Sequence, residues 1–157
     1  MADQYRSYLD LLEALREKLA ELSDLARLKT AVVRNDDLLA LDEVLRQEQA
    51  ITLSFRGLDQ KREKLLGELG ASDLPLASLP DCYPAAMQAE ARQVVAALQE
   101  QFRAYRTEAD AARSTLEGHL HEVEKILEEA GATPPSGPGY TPPETEPPPN
   151  MKTDFRA

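Results

Sequence analysis

Between Ala91 and Ala130 an apolar side chain returns at strictly alternating spacings of four and three residues. The series is Ala91, Val95, Leu98, Phe102, Tyr105, Ala109, Ala112, Leu116, His119, Val123, Ile126 and Ala130, and His119 is its only polar member. Such spacing lays one narrow stripe along an α-helix, the pattern of a coiled-coil-like seam. From Pro84 to Ala130 that helix would extend about 70 Å at 1.5 Å per residue. A rod of this length cannot cover its own stripe. The rest of the chain must supply helices to lie along it.

Two earlier segments fit that demand. Tyr5, Tyr8, Leu12, Leu15, Leu19, Leu22 and Ala26 form a stripe in a helix running from about Asp3 to Val33, with Asp3 placed to cap it. Leu11, Leu25, Leu28 and Val32 widen the stripe, so this helix is expected to face two neighbours. Arg34-Asn35-Asp36-Asp37 breaks it. Asn35 tolerates the left-handed backbone that ends a helix, and Asp36 or Asp37 can cap the next one. So short a connection predicts an antiparallel hairpin.

The second helix is expected from about Leu38 to Leu69, stopped by Gly70, with a stripe of Leu41, Val44, Ile51, Phe55, Leu58, Leu65 and Leu69. Glu48 and Arg62 fall on that stripe. Glu48 reads either as a flank residue or as a buried carboxylate needing a partner such as Arg62. Arg56, Lys61, Arg62 and Lys64 alternate with Asp59, Glu63 and Glu68 and read as a solvated ion-pair face. Residues 71–83 hold Pro75 and Pro80 and cannot be regular helix throughout. Their leucines, Leu74, Leu76 and Leu79, suggest a segment packed across the end of the bundle. Each hairpin helix measures about 50 Å by the same rise, so the third helix overhangs its partners by about 20 Å.

Composition agrees. Leucine, alanine and charged residues dominate, aromatic residues are 5%, and tryptophan is absent; sheets need the β-branched and aromatic runs this chain lacks. The fold class is therefore all-α: an elongated antiparallel bundle of three long helices with coiled-coil-like packing, spanning residues 1–132. Residues 133–157 form a Pro-rich tail, expected to be disordered, because a segment with eight prolines between 131 and 149 cannot bury enough surface to fold.

A net charge of −10 repels phosphate, so nucleic acid and anionic membrane are poor partners. No apolar run is long enough for membrane insertion, and the single cysteine, Cys82, forms no internal disulfide. A cytoplasmic location is expected. Enzymatic motifs are wanting: there is no phosphate loop, no nucleophile elbow and no Glu-x-x-His pair of the di-iron bundles. Glu117, His121 and Glu124 share a helical face, but two carboxylates beside one imidazole arise readily on an acidic surface. No catalytic residue, metal or cofactor is assigned. His119 reads as a partly buried polar interruption of the seam.

The order of features resembles the FlgN family of flagellar type III export chaperones. The residues that carry the resemblance are YLDLLEALREKLAELSDLA at 8–26, NDDLLALDEVLRQEQAI at 35–51, and DQKREKLLGELG at 59–70. Where family members place an asparagine and paired leucines in the third helix, this chain reads AARSTLEGHLHEVEKIL. The resemblance implies a cytoplasmic chaperone for hook–filament junction (hook-associated) proteins. It would hold the client's C-terminal helical segment, prevent premature assembly, and deliver the client to the flagellar export apparatus without using ATP itself. A structural coiled-coil protein, permanently paired with a helical partner, is the alternative. The expected oligomeric state is a monomer or weak homodimer.

The client-binding residues are expected on the overhang: Leu116, Leu120, Val123, Ile126 and Leu127. In the tail, Tyr140 and Phe155 are candidates for docking on the export gate, the alternative being a passive solubilising tail. Deleting residues 134–157 is expected to leave the melting temperature unchanged, because no core is lost. Export of the client should fall; unchanged export would remove the docking role from Tyr140 and Phe155.

Overall fold

A computed structural model describes residues 2–131, and they are all-α. Helix α1 spans Ala2–Arg34, α2 spans Leu38–Glu68 and α3 spans Gln88–Glu129. Between α2 and α3 lie two 3-10 segments, Leu76–Cys82 and Ala85–Met87. The helices run up, down and up. Cross-links fix this register: Arg6 pairs with Glu90 at one end of α1, Arg27 with Glu108 further along, and Asp36, just past its end, with His119. Thus α2 is antiparallel to α1, whereas α3 runs parallel to α1.

The helix ends follow from local backbone chemistry. After α1, the Asp36 N–H bonds the Val33 carbonyl at 3.2 Å and the Asp37 N–H bonds that of Val32 at 3.0 Å. This pairing needs a left-handed residue between them, and Asp36 supplies it at φ 54°. Asp36 therefore takes the place expected of Asn35. Asp37 then caps α2, its carboxylate accepting from the Ala40 N–H at 3.1 Å. The same closure recurs after α2, with Gly70 at φ 69° and the Ala71 N–H bonded to the Leu66 carbonyl at 3.0 Å. Ala71 and Leu66 are both buried, the apolar contact that accompanies such a cap. Asp3 does not cap α1. The helix already includes Ala2, so the Asp3 carboxylate sits in the first turn, where it favours the positive end of the helix dipole.

Helix α1 is the middle of the structure. It packs against both α2 and α3, while the backbones of α2 and α3 nowhere approach within 8 Å. Two-sided packing explains its wide apolar surface: Tyr8, Leu9, Leu12, Leu15 and Leu19 are at most 1% exposed. On α2 the buried line runs through Val44, Phe55, Asp59, Arg62 and Leu66. On α3 burial gathers in the first part, through Ala91, Val94, Val95 and Leu98, with Ala112 buried further along. The connecting segment closes this end with Leu76, Leu79 and Tyr83. Tyr83 stacks on Tyr5 with ring centroids 4.8 Å apart, and its hydroxyl donates to the Tyr5 carbonyl at 3.1 Å. Burial pushes its phenol pKa well above the usual tyrosine value.

The buried line on α2 corrects the sequence expectation of a solvated charged face. Arg62 is 0% exposed and Asp59 only 7%. One helical turn apart, they bond through Arg62 Nε and Asp59 Oδ1 at 2.8 Å. The Tyr8 ring of α1 lies beside the guanidinium. Burial opposes the charge on Arg62, but the Asp59 carboxylate and the Tyr8 hydroxyl together outweigh it and raise the guanidinium pKa. Glu48 also gains a partner, though not Arg62: it pairs with Lys29 of α1 and is half-buried.

Taking the carboxylate from a buried guanidinium costs about 3–5 kcal/mol, far more than losing an exposed pair. Asp59→Ala should therefore lower unfolding stability by roughly that amount in urea titrations. Removing both charges with Asp59→Ala and Arg62→Met should recover most of the loss. A single-variant loss below about 1 kcal/mol would mean that the pair behaves as if solvated.

Candidate functional site: the uncovered end of the third helix

Polar links between described residues tie α3 to the α1–α2 hairpin. Arg6 Nη2 donates to Glu90 at 2.9 Å, Gln101 donates to the Ser23 hydroxyl at 3.3 Å, and Arg27 Nε pairs with Glu108 at 3.2 Å. The last is His119, whose Nε2 meets Asp36 in the α1–α2 turn. Asp36 stands there because of the left-handed closure that ends α1. His119 thus marks the level at which the hairpin turns back. The half-buried imidazole, expected as an interruption of the seam, makes this contact.

Residues 120–129 continue α3 beyond that level, about 15 Å of helix by the standard rise. Leu120, Val123 and Ile126 are 57%, 47% and 63% exposed. Leu116, beside the turn, and Leu127 are half-buried. Leu116, Leu120, Val123 and Leu127 follow four-three-four spacing and share one stripe, with Ile126 at its edge. Earlier on the same helix the seam residues Ala91, Val95 and Leu98 are at most 4% exposed; beyond the turn the seam continues in Val123 and Ile126, with Leu120 and Leu127 beside it. The sequence pattern is continuous across the boundary. Its cover is not.

Glutamates border this stripe. Glu117, Glu124 and Glu128 each follow a stripe residue by one position, and Glu122 lies on the other side; all are exposed. The lone base in this stretch, Lys125, falls opposite the stripe on the helical wheel. His121 is exposed, and among the described residues no group of three or more His, Cys, Asp or Glu side chains could hold a metal ion. No described helix is long and apolar enough to cross a membrane. Tyr140 and Phe155 lie outside the described residues.

Sequence reasoning missed Leu38 and Leu39. They occupy the first turn of α2, directly after its Asp37 cap, and are 76% and 87% exposed. They stand at the same end of the molecule as the overhang, within one helical turn of the Asp36 that His119 touches. Adjacency alone does not expose them, since Tyr8 and Leu9 are both buried, as are Val94 and Val95; α2, however, buries a single line, on which two residues about 100° apart do not both fall.

The family model described as FlgN protein matches residues 1–146, which takes in the three helices and the overhang. No curated protein and no solved structure matches the chain significantly.

Gly118 lies within α3 at the base of the overhang, and a Cβ added there meets nothing within 4 Å. Glycine in a helix interior costs about 1 kcal/mol relative to alanine. Gly118→Ala should therefore slow amide hydrogen exchange across residues 116–129 by about fivefold, that free energy expressed as a ratio. Unchanged exchange would show that the overhang is not limited by this glycine.

Proposed function

The chain belongs to the FlgN family of flagellar export chaperones, which bind flagellar proteins and are not enzymes, and on that premise we propose that its overhang holds a client helix. The client is the C-terminal helical segment of a hook–filament junction protein, shielded in the cytoplasm before type III export. Such a segment is amphipathic and lacks its partners before assembly, so a helix laid against an exposed apolar stripe hides both surfaces at once. Delivery to the export gate, with Tyr140 and Phe155 of the tail as docking elements, completes the role. Monomeric or weakly dimeric protein suits it.

The observation that carries this reading is the exposure of Leu120, Val123 and Ile126 beyond the His119–Asp36 contact. Magnitudes decide how much surface is needed. Each of these side chains is about half exposed, so covering it adds roughly 1 kcal/mol. Association costs about 4–15 kcal/mol before any gain appears. Three side chains do not suffice, and the client must also bury Leu116 and Leu127, with Leu38 and Leu39 within reach at the same end.

Replacing Leu120 and Val123 with serine separates binding from folding, because both residues are exposed. Binding of the client's C-terminal segment, followed by calorimetry, should weaken at least about tenfold, the loss of roughly 1.4 kcal/mol. The melting temperature should move by no more than a degree or two, as surface changes stay within about 0.5 kcal/mol. Unfolding of this variant would place the two residues in the core, and unweakened binding would place the client elsewhere. A complex that never dissociates on dilution would favour a permanent structural pairing.

A further inference from the structure

The charge around the uncovered end is lopsided. The turn and the overhang, residues 34–39 and 116–131, together hold seven carboxylates against two lysines and arginines. Within α3 the arrangement is ordered. Glu117, Glu124 and Glu128 repeat at spacings of seven and four, in step with Leu116, Val123 and Leu127. They form a row alongside the apolar stripe, one residue further round the helix. Glu122 faces them across it.

We propose that the overhang selects a basic amphipathic helix, one whose apolar stripe is bordered by lysine and arginine. This rests on the client-docking reading above and adds the partner's chemistry to it. A helix seated on Leu120 and Val123 brings its own border residues against the glutamate rows, where the apolar contact excludes water and lowers the local dielectric. Opposite charges are attracted there and like charges are rejected. A second copy of this chain is the wrong occupant: pairing two overhangs through Leu120, Val123 and Leu127 sets glutamate against glutamate. An acidic helix meets the same repulsion. The apolar stripe supplies the contact, and the carboxylates decide which stripe may cover it.

The test uses the full chain and two synthetic peptides of equal length with the same leucine stripe, one bordered by lysines and one by glutamates. Binding is followed by fluorescence anisotropy at low and high ionic strength. The lysine-bordered peptide should bind at least about tenfold tighter at low ionic strength, and salt should narrow the gap. Glu117→Gln, Glu124→Gln and Glu128→Gln together, all at exposed positions, should remove most of the preference. Leu120→Ser with Val123→Ser should abolish binding of the lysine-bordered peptide, which separates docking on the overhang from diffuse attraction to an acidic protein.

Equal affinity of the two peptides, or no binding of either, overturns the inference. So does a preference that survives the glutamate substitutions, or binding indifferent to the leucine and valine substitutions. None of these outcomes decides whether the client's own segment binds, which the calorimetric comparison measures independently. A client that fails there while the peptides discriminate defeats the chaperone reading and leaves the charge selectivity standing.

Discussion

Every other part of this structure depends on α1 being buried from two sides. A helix normally hides one stripe and leaves the rest to solvent, but Tyr8, Leu9, Leu12, Leu15 and Leu19 sit within 1% of complete burial because α2 and α3 approach from different directions. Since no Cα of α2 lies within 8 Å of one of α3, α1 is the helix on which both pack, and α2 reaches α3 only through side chains such as Glu48 beside Tyr105. The cover available to α3 is therefore set by the length of α1. Once α1 ends at Arg34 and the chain reverses through Asp36 and Asp37, α3 runs on with the same four-three spacing, and Leu120, Val123 and Ile126 stand exposed there.

Stability is distributed unevenly along this axis. The continuous core gathers Tyr8 to Leu22 of α1, Phe55 and Leu66 of α2, the connecting segment and the first turns of α3. The Asp59–Arg62 pair lies at this end too, where the Tyr8 side chain reaches it across the α1–α2 interface. Toward the hairpin turn the buried residues thin to Val32, Val33, Val44 and Ala112, none of them part of that cluster. A buried ion pair contributes little net stability against an apolar replacement. Both partners lie on α2, so the pair stays compensated as that helix packs, with Tyr8 of α1 against it. The open end is left with few internal contacts to disturb when a partner covers it.

Much of the fold was legible because it is written in local chemistry. The four-three alternation could only be helix, and Asp37 and Gly70 are residue types whose backbone and capping preferences stop and start helices. The errors came where identity and environment part company. Arg62 and Asp59 look like surface residues by type, and only the apolar residues a turn away, Phe55 and Leu66, mark their line as buried. Asn35 and Asp36 both tolerate the left-handed region, and the choice falls to the residue whose neighbours, the Val32 and Val33 carbonyls, need donors. At the candidate site, the length excess of α3 can be read by counting. Leu38 and Leu39 cannot be found that way, since a leucine after a cap is taken for core unless the end of the neighbouring helix is known.

The same end of the molecule carries exposed apolar side chains and a cluster of carboxylates, and the two properties constrain each other. Exposed leucines at Leu38, Leu39 and Leu120 would drive copies of the chain together if charge were absent, since each covered side chain gains roughly 1–3 kcal/mol. Rows of glutamate in register with the stripe oppose that association because two such surfaces cannot meet without bringing like charges into contact. Their cost in the isolated protein is small, as Glu117, Glu122, Glu124 and Glu128 all remain exposed to water. The repulsion becomes large only when an apolar surface closes over the stripe and removes that water. An overhang built this way can stay uncovered in solution without pairing with itself, which a surface held open for a different polypeptide requires.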